Sequence, residues 1–268
     1  MSRTAIIAGQ GALPAALAAG LDRPVVCALE GFAPTGIAVD QAFRIERLVP
    51  FLRGLEAAGV GRVVFAGAVR RPRLDPGLFD PETAQLVPRL LSALQGGDDA
   101  TLRAVIALFE EFGFAVAGVA EVAPALLPGP GVLAGRLTEP DRADAARAAE
   151  IVAALGAVDV GQGAVVVQGL CLGVEALPGT DALLRGVAAL PADLRPEAAR
   201  GRGVFYKAPK PGQDRRIDLP TLGPATVDLA AAAGLGGIAF AAGGVICLDL
   251  PAMQARALAR GVFLWARD

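Results

Sequence analysis

Thr4-Ala5-Ile6-Ile7-Ala8-Gly9-Gln10-Gly11-Ala12-Leu13-Pro14 reads as a strand, a tight turn and the opening of a helix. The β-rich run Thr4–Ala8 fits a buried strand, and Gly9 and Gly11 punctuate a turn. Pro14 suits the first turn of a helix, where its missing N–H costs nothing. A second β-rich run, Pro24–Leu29, follows that helix, so the chain opens as strand, helix, strand, the signature of an α/β protein.

The alternation continues along the chain. An amphipathic helix around Val49–Ala58 precedes a strand at Arg62–Ala66. Helical patterns near Pro81–Leu94 and Asp98–Phe112 lead to a strand at Phe114–Val119. Pro124, Pro128, Gly129, Pro130 and Gly131 then break the pattern, which makes Pro128–Leu137 the linker expected from composition. Beyond it come a helix (Pro140–Leu155), strands (Ala164–Gln168 and Leu170–Glu175), a helix (Thr180–Val187) and a strand (Val204–Ala208). A proline-rich loop is followed by a helix (Pro224–Ala233), strands at Gly237–Phe240 and Val245–Leu248, a helix (Pro251–Arg260) and a last strand (Val262–Ala266). The expected architecture is two α/β domains of similar size, 1–130 and 131–268, joined by a Pro/Gly-rich linker, the N-terminal one Rossmann-like.

Composition narrows the chemistry. The 268 residues are 54% hydrophobic and 19% charged, with a net charge of -2 and a pI of about 5.4. That balance, with 5% aromatics, argues against a nucleic-acid partner, which calls for a basic excess or stacking platforms. There is no histidine, so Ser-His-Asp and Cys-His catalysis and imidazole-ligated metals are excluded. Acid-base and metal work falls to Asp, Glu, Lys, Arg or the single Tyr206. Cys27, Cys171 and Cys247 each lie in an apolar strand-like run and are expected to be buried, reduced thiols of a cytosolic protein. Two segments mimic membrane signals. Met1–Leu21 resembles an export leader but is interrupted by Gly9, Gln10, Gly11 and Pro14. Leu229–Leu248 is uncharged and long enough to span a bilayer, but its glycines divide it into helix, strand and strand.

Of the 25 basic residues only Lys207 and Lys210 are lysine. In a chain that uses Arg almost everywhere, two neighbouring ammonium groups point to a phosphate contact; the plain alternative is chance clustering on a solvated loop. They open the segment Lys207–Thr221, which packs Gln213, Asp214, Arg215, Arg216 and Asp218 between prolines and glycine. Upstream, Glu175, Asp181 and Arg185 surround the turn Pro178-Gly179-Thr180, and Asp181 and Arg185, four apart, share a helix face. Such a stiff, charge-dense region suits an anionic ligand with a hard metal, because Mg²⁺ takes oxygen ligands from one or two carboxylates and substrate phosphates. A surface loop with incidental salt bridges reads equally well. The Gly9–Gly11 turn likewise has two readings. It can cradle a phosphate at a helix start, with Glu30 where a dinucleotide-binding fold keeps its ribose acid, or it is a strand-to-helix turn, since Pro14 replaces the third glycine. Gly97-Asp98-Asp99 either faces a ligand or caps a helix.

Several segments together carry a family resemblance. They are Ile7-Ala8-Gly9-Gln10-Gly11-Ala12-Leu13-Pro14, Ala66-Gly67-Ala68-Val69-Arg70-Arg71-Pro72, Gly97-Asp98-Asp99 with Leu102-Arg103, Gln168-Gly169, Glu175, and Gly179-Thr180-Asp181. The densest is Lys207-Ala208-Pro209-Lys210-Pro211-Gly212-Gln213-Asp214-Arg215-Arg216, running into Asp218-Leu219-Pro220-Thr221-Leu222-Gly223-Pro224. The chain resembles, over nearly its whole length, the LpxI-type UDP-2,3-diacylglucosamine pyrophosphatases of lipid A synthesis in Gram-negative bacteria.

The resemblance implies a two-domain α/β enzyme with its ligand between the domains. It implies Mg²⁺-dependent hydrolysis of UDP-2,3-diacylglucosamine to UMP and 2,3-diacylglucosamine 1-phosphate (lipid X), with water attacking the sugar-side phosphorus. Asp218 matches the aspartate of the family's Asp-Leu-Pro-Thr motif, taken as the key catalytic carboxylate. Pro178 departs from the pattern, which expects an acidic residue before Gly-Thr-Asp. The assignment that follows makes Asp218, Asp181 and Lys207 catalytic and gives the metal to Asp218, Asp181 and Glu175. Substrate contacts fall to Gly9, Gln10, Gly11, Asp98, Asp99, Thr180, Arg185, Lys210, Gln213 and Thr221. A cytoplasmic protein touching the inner face of the inner membrane transiently is expected, with a homodimer as the assembly to test. Two other classes stay open: a nucleotide-sugar or nicotinamide-dependent oxidoreductase using the Gly9–Pro14 turn, and a non-catalytic UDP-lipid binder.

Overall fold

The computed structural model describes residues 2–69, 73–95 and 98–268. The motif residues Arg70, Arg71, Pro72 and Gly97 lie outside that set, as do the side chains of Asp98 and Asp99. The chain divides into two compact units, one of residues 1–124 with 216–218, the other of residues 125–215 with 219–268.

The first unit runs β1 (Arg3–Ala8), α1 (Leu13–Ala18), β2 (Val25–Leu29), β3 (Gln41–Phe43), α2 (Leu48–Ala57), β4 (Val60–Ala66), α3 (Pro81–Ala84), α4 (Val87–Gln95), α5 (Asp98–Glu111), β5 (Ala115–Ala117) and α6 (Val119–Val122). Its sheet has the order β3-β2-β1-β4-β5 with every pairing parallel, the Rossmann-like arrangement expected from the opening segment. Parallel strands need both faces covered, and the alternation shows it. Ala5, Cys27 and Val63 join Phe51, Leu52, Leu55, Ile106 and Phe109 in one core, while the intervening Ile6, Val26 and Val64 are equally buried on the other face. The short strand β3 escapes sequence reading because its residues are largely exposed and carry no apolar pattern.

β1 and β4 are neighbours at the point where strand order reverses. Their C-terminal extensions meet: Gly9 N–H donates to the Ala66 carbonyl at 2.7 Å, and Gln10 and Ala68 exchange backbone hydrogen bonds at 2.9 Å. A Cβ on Gly9 would lie 2.6 Å from the Ala68 oxygen, and one on Gly67 would lie 2.6 Å from the Gly9 oxygen. These glycines let two backbones touch.

The second unit runs β6 (Gly131–Ala134), α7 (Glu139–Ala157), β7 (Gly163–Val167), β8 (Leu170–Val174), α8 (Thr180–Ala188), β9 (Val204–Lys207), β10 (Thr221–Leu222), α9 (Pro224–Ala232), β11 (Gly237–Ala241), β12 (Ile246–Cys247), α10 (Leu250–Arg260) and β13 (Phe263–Arg267). Its main sheet has the order β6-β13-β11-β9-β7-β8. β13, β11 and β9 are parallel, whereas β6, β7 and β8 each run antiparallel to their neighbour. β10 and β12 form a separate parallel pair. Phe205, Phe240, Ile238 and Leu264 face a core shared with α8, α9 and α10. Tyr206, Val204, Ala239 and Phe263 face α7, whose Ala145 and Ala148 are fully buried against them. Thr138 starts α7 with a capping box: its backbone N–H and hydroxyl donate to Asp141 at 2.8 and 2.6 Å.

Two expectations need correcting. The segment Pro128–Leu137 is not all linker, because Gly131–Ala134 forms β6, an edge strand held by pairing with β13. Its solvent-facing residues hide that pairing from a reading based on apolar runs. Nor are the three cysteines alike: Cys27 and Cys247 are buried, but Cys171 is exposed, since β8 is the other edge of the sheet and turns that face outward. The apolar stretch Leu229–Leu248 is distributed over α9, β11 and β12, and among the described residues no helix is long and apolar enough to cross a membrane.

Burial pushes the thiols of Cys27 and Cys247 up to about 12, with Asp40 adding to the effect at Cys27. Thiolate is the reactive form, so at mildly alkaline pH a disulfide reagent should modify one of the three thiols in the native protein and all three after denaturation. Loss of that single fast thiol in Cys171→Ser is the expected control.

Candidate functional site

Lys207, the last residue of β9, faces the α8 side of the sheet and is 4% exposed. A buried ammonium is tolerated only when paired and hydrogen-bonded. Its Nζ donates to Glu175 Oε2 at 2.7 Å and Oε1 at 3.0 Å, and to Thr180 Oγ1 at 2.6 Å. Thr180 is the first residue of α8, which Gly179 begins at φ 84 without a side-chain cap. The positive end of that helix and the ammonium therefore reinforce one another, with Glu175 as the local counter-charge.

The carboxylate approaches through space that glycine leaves open. A Cβ on Gly163 would fall 2.6 Å from Glu175 Oε2 and 2.8 Å from the Phe205 ring, and one on Gly161 would fall 1.9 Å from the Glu175 carbonyl oxygen. Glu175 N–H also donates to the Gly163 carbonyl at 2.7 Å, continuing the β7–β8 hairpin. Beside it, Gln162 Nε2 and the Lys210 backbone N–H both donate to Gln213 Oε1, at 3.1 and 3.0 Å. Lys210 Nζ pairs with Asp159 at 2.5 Å. Both lysines thus belong to one fixed region at the ends of β7 and β9. Sequence reading missed Asp159, Gly161, Gln162 and Gly163, because Asp-Val-Gly-Gln-Gly after a helix looks only like a turn.

The remaining expected residues fall in several places. Asp181 and Arg185 do share a face of α8, 3.0 Å apart, but they are 53% and 64% exposed; exposed pairs of this kind contribute about 0.2–1 kcal/mol. Thr221 opens β10 and donates to the Leu219 carbonyl at 3.4 Å. Asp218 is half-buried and is counted with the first unit. There Ile217 packs on the core around Leu52, and Arg216 pairs with Glu110 at 2.8 Å. Asp98 and Asp99 lie in the backbone of α5.

At the Gly9–Gly11 turn, the N–H groups of Gly9 and Gln10 are already donated to Ala66 and Ala68, and the Gly11 carbonyl accepts from Thr35. Close backbone approach accounts for Gly9 and Gly67, with the Gly9 and Gln10 amides engaged in backbone hydrogen bonds. Glu30, the expected ribose acid of a nicotinamide enzyme, is paired with Arg44 at 2.9 Å. Tyr206 faces the α7 side, away from Lys207; burial pushes its phenol up, partly offset by the charge and hydrogen bond of Arg267. It is neutral at physiological pH.

Among the described residues no group of three or more Asp, Glu or Cys is gathered to hold a metal ion. Glu175 has both oxygens on Lys207 and Asp181 is on Arg185. The available donors are nonetheless all oxygen, as a hard cation requires, and Mg²⁺ characteristically takes only one or two carboxylates beside substrate phosphates. The donor set fits a metal that arrives with a diphosphate better than one held in a protein-only cage.

Models of two domain families match the chain. The LpxI N-terminal domain covers residues 3–126 and the LpxI C-terminal domain covers residues 129–265. The UDP-2,3-diacylglucosamine pyrophosphatase LpxI of Caulobacter vibrioides is 39% identical over 277 residues, spanning 100% of this chain and 98% of that protein.

Removing one partner of a buried ion pair strands the other charge, at a cost of about 3–5 kcal/mol, whereas replacing both by apolar residues is often near neutral. Lys207→Met should therefore lower the urea midpoint sharply by leaving Glu175 uncompensated. Glu175→Leu combined with Lys207→Met should recover most of that loss. Equal destabilisation by the single and double variants would show that the pair does not constrain the strand end.

Proposed function

The chain belongs to the LpxI family, and from that premise we propose that it hydrolyses the pyrophosphate of UDP-2,3-diacylglucosamine, giving UMP and lipid X in lipid A biosynthesis. The full-length relationship to a pyrophosphatase of that name supports the reaction. The observation that carries it at the site is the buried Lys207 ammonium, held at a strand end beside the uncapped start of α8. Phosphoryl transfer asks a protein mainly for positioning and charge neutralisation, and this is a charge placed in advance where little water can screen it.

In this reading the substrate diphosphate takes over donors of Lys207 that Glu175 and Thr180 hold in the free protein, and Lys210 adds a second ammonium. Glu175 holds Lys207 in place at the strand end. Asp218 is the carboxylate assigned to orient the attacking water and accept its proton, with attack on the sugar-side phosphorus. Mg²⁺ is the proposed cofactor: Asp218 would hold it, Asp181 and Glu175 are the further carboxylates of the set, and it would supply neutralisation of the diphosphate. Two acyl chains on the substrate call for transient contact with the inner face of the inner membrane by an otherwise cytoplasmic protein.

The test is UMP release from UDP-2,3-diacylglucosamine with Mg²⁺, with EDTA, and with Asp218→Asn. A general base contributes about 10²–10⁴-fold, so Asp218→Asn should reduce kcat by at least about a hundredfold with little change in thermal midpoint. EDTA should abolish turnover, and Mg²⁺ should restore it. Reaction in ¹⁸O-water should label lipid X rather than UMP. Absence of UMP release from folded wild-type protein would sink the hydrolase reading.

A further inference from the structure

The strand edge opposite Lys207 holds a separate cavity of about 430 Å³, wholly inside the second unit. It opens where β9, β11 and β13 begin, whereas Lys207 stands where β9 ends. Its size falls within the range of small-molecule sites, about 300–1,000 Å³. Its floor is apolar: Val262 and Phe263 are 1% and 2% exposed. Its wall is cationic, with Arg136 from the β6–α7 loop and Arg200 and Arg202 from the segment leading into β9.

The state of those charges makes the cavity informative. Asp141 is the one carboxylate among the lining residues, and it is turned into the α7 capping box, accepting from Thr138 N–H and hydroxyl. Arg202 is anchored on the Gly261 carbonyl. Among the described residues, no carboxylate pairs with Arg136 or Arg200. A chain of net charge -2 thus brings three arginines to an apolar floor, and among the described residues Arg136 and Arg200 have no carboxylate paired with them. Guanidinium groups match phosphate oxygens in geometry and charge, and the exposed Leu258 at the rim, 66% accessible, offers an apolar contact beside them.

We propose that this cavity is a second anion site, binding a phosphate monoester that carries an apolar group. The shared chemistry admits a soluble phosphate ester or the headgroup of a phosphomonoester lipid. The inference does not rest on the hydrolase reading, because it is read without substrate and at the other end of the sheet.

The experiment titrates the ¹⁵N-labelled full chain with inorganic phosphate and follows amide shifts. In parallel, it measures cosedimentation with phosphatidylcholine vesicles with and without phosphatidic acid. Saturable shifts at Gly135, Gly201 and Gly261, weakened at least about tenfold in Arg136→Ala/Arg200→Ala, support a free-phosphate source. Phosphatidate-dependent cosedimentation, lost in the same variant, supports the headgroup source. The substituted arginines are exposed, so the variant should keep the wild-type thermal midpoint and its UMP release. Neither response, or responses indifferent to the double substitution, overturns the site.

Discussion

An ammonium group buried at the end of a strand constrains everything near it. Lys207 must find oxygen partners on the face it enters, and Glu175 and Thr180 supply them from two different elements. Glu175 can reach it only because residues 161 and 163 lack side chains. Thr180 can reach it only because α8 starts where the chain turns back at Gly179. The hairpin, the helix start and the strand end are thus locked to one charge.

The two units solve the problem of covering a sheet differently, and the difference bears on function. The first keeps all strands parallel, so both faces are buried and its strand ends at the topological switch point are available for loops. There the chain brings two backbones together at Gly9 and Gly67, with the Gly9 and Gln10 amides bonded to Ala66 and Ala68. The second unit mixes directions and closes its edges with the antiparallel strands β6 and β8. Its parallel centre, β9, β11 and β13, has one end occupied by Lys207 and the other opening into the arginine-lined cavity. A near-neutral overall charge conceals these local concentrations of cationic side chains, and local field rather than net charge is what an anionic ligand meets.

The lysine scarcity illustrates how composition can point to a site. With 23 of 25 basic residues as arginine, the two lysines marked positions where a compact ammonium is used, and both are held by carboxylates, Lys207 by Glu175 and Lys210 by Asp159. At position 207 the compact ammonium directs donors to both Glu175 and Thr180, a use for which a planar guanidinium is not an equivalent group.

The amino-acid sequence by itself determined the α/β class, the two-part organisation, nearly every helix and central strand, and the family, because apolar periodicity, glycine and proline punctuation, and clustered motifs are local signals. It also singled out Lys207, Glu175 and Thr180, though as neighbours in a charged region rather than as one hydrogen-bonded group. Only the tertiary structure decided what depends on partners distant in the chain. Edge strands β3 and β6 exist through pairing with β2 and β13, not through their own pattern. Gly161 and Gly163 matter because a carboxylate more than ten residues away needs their space. Residues 216–218 are counted with the first unit although they follow the second unit's strands. Contacts of that kind are made between segments that no spacing rule relates, so their energies appear only once the chain is folded.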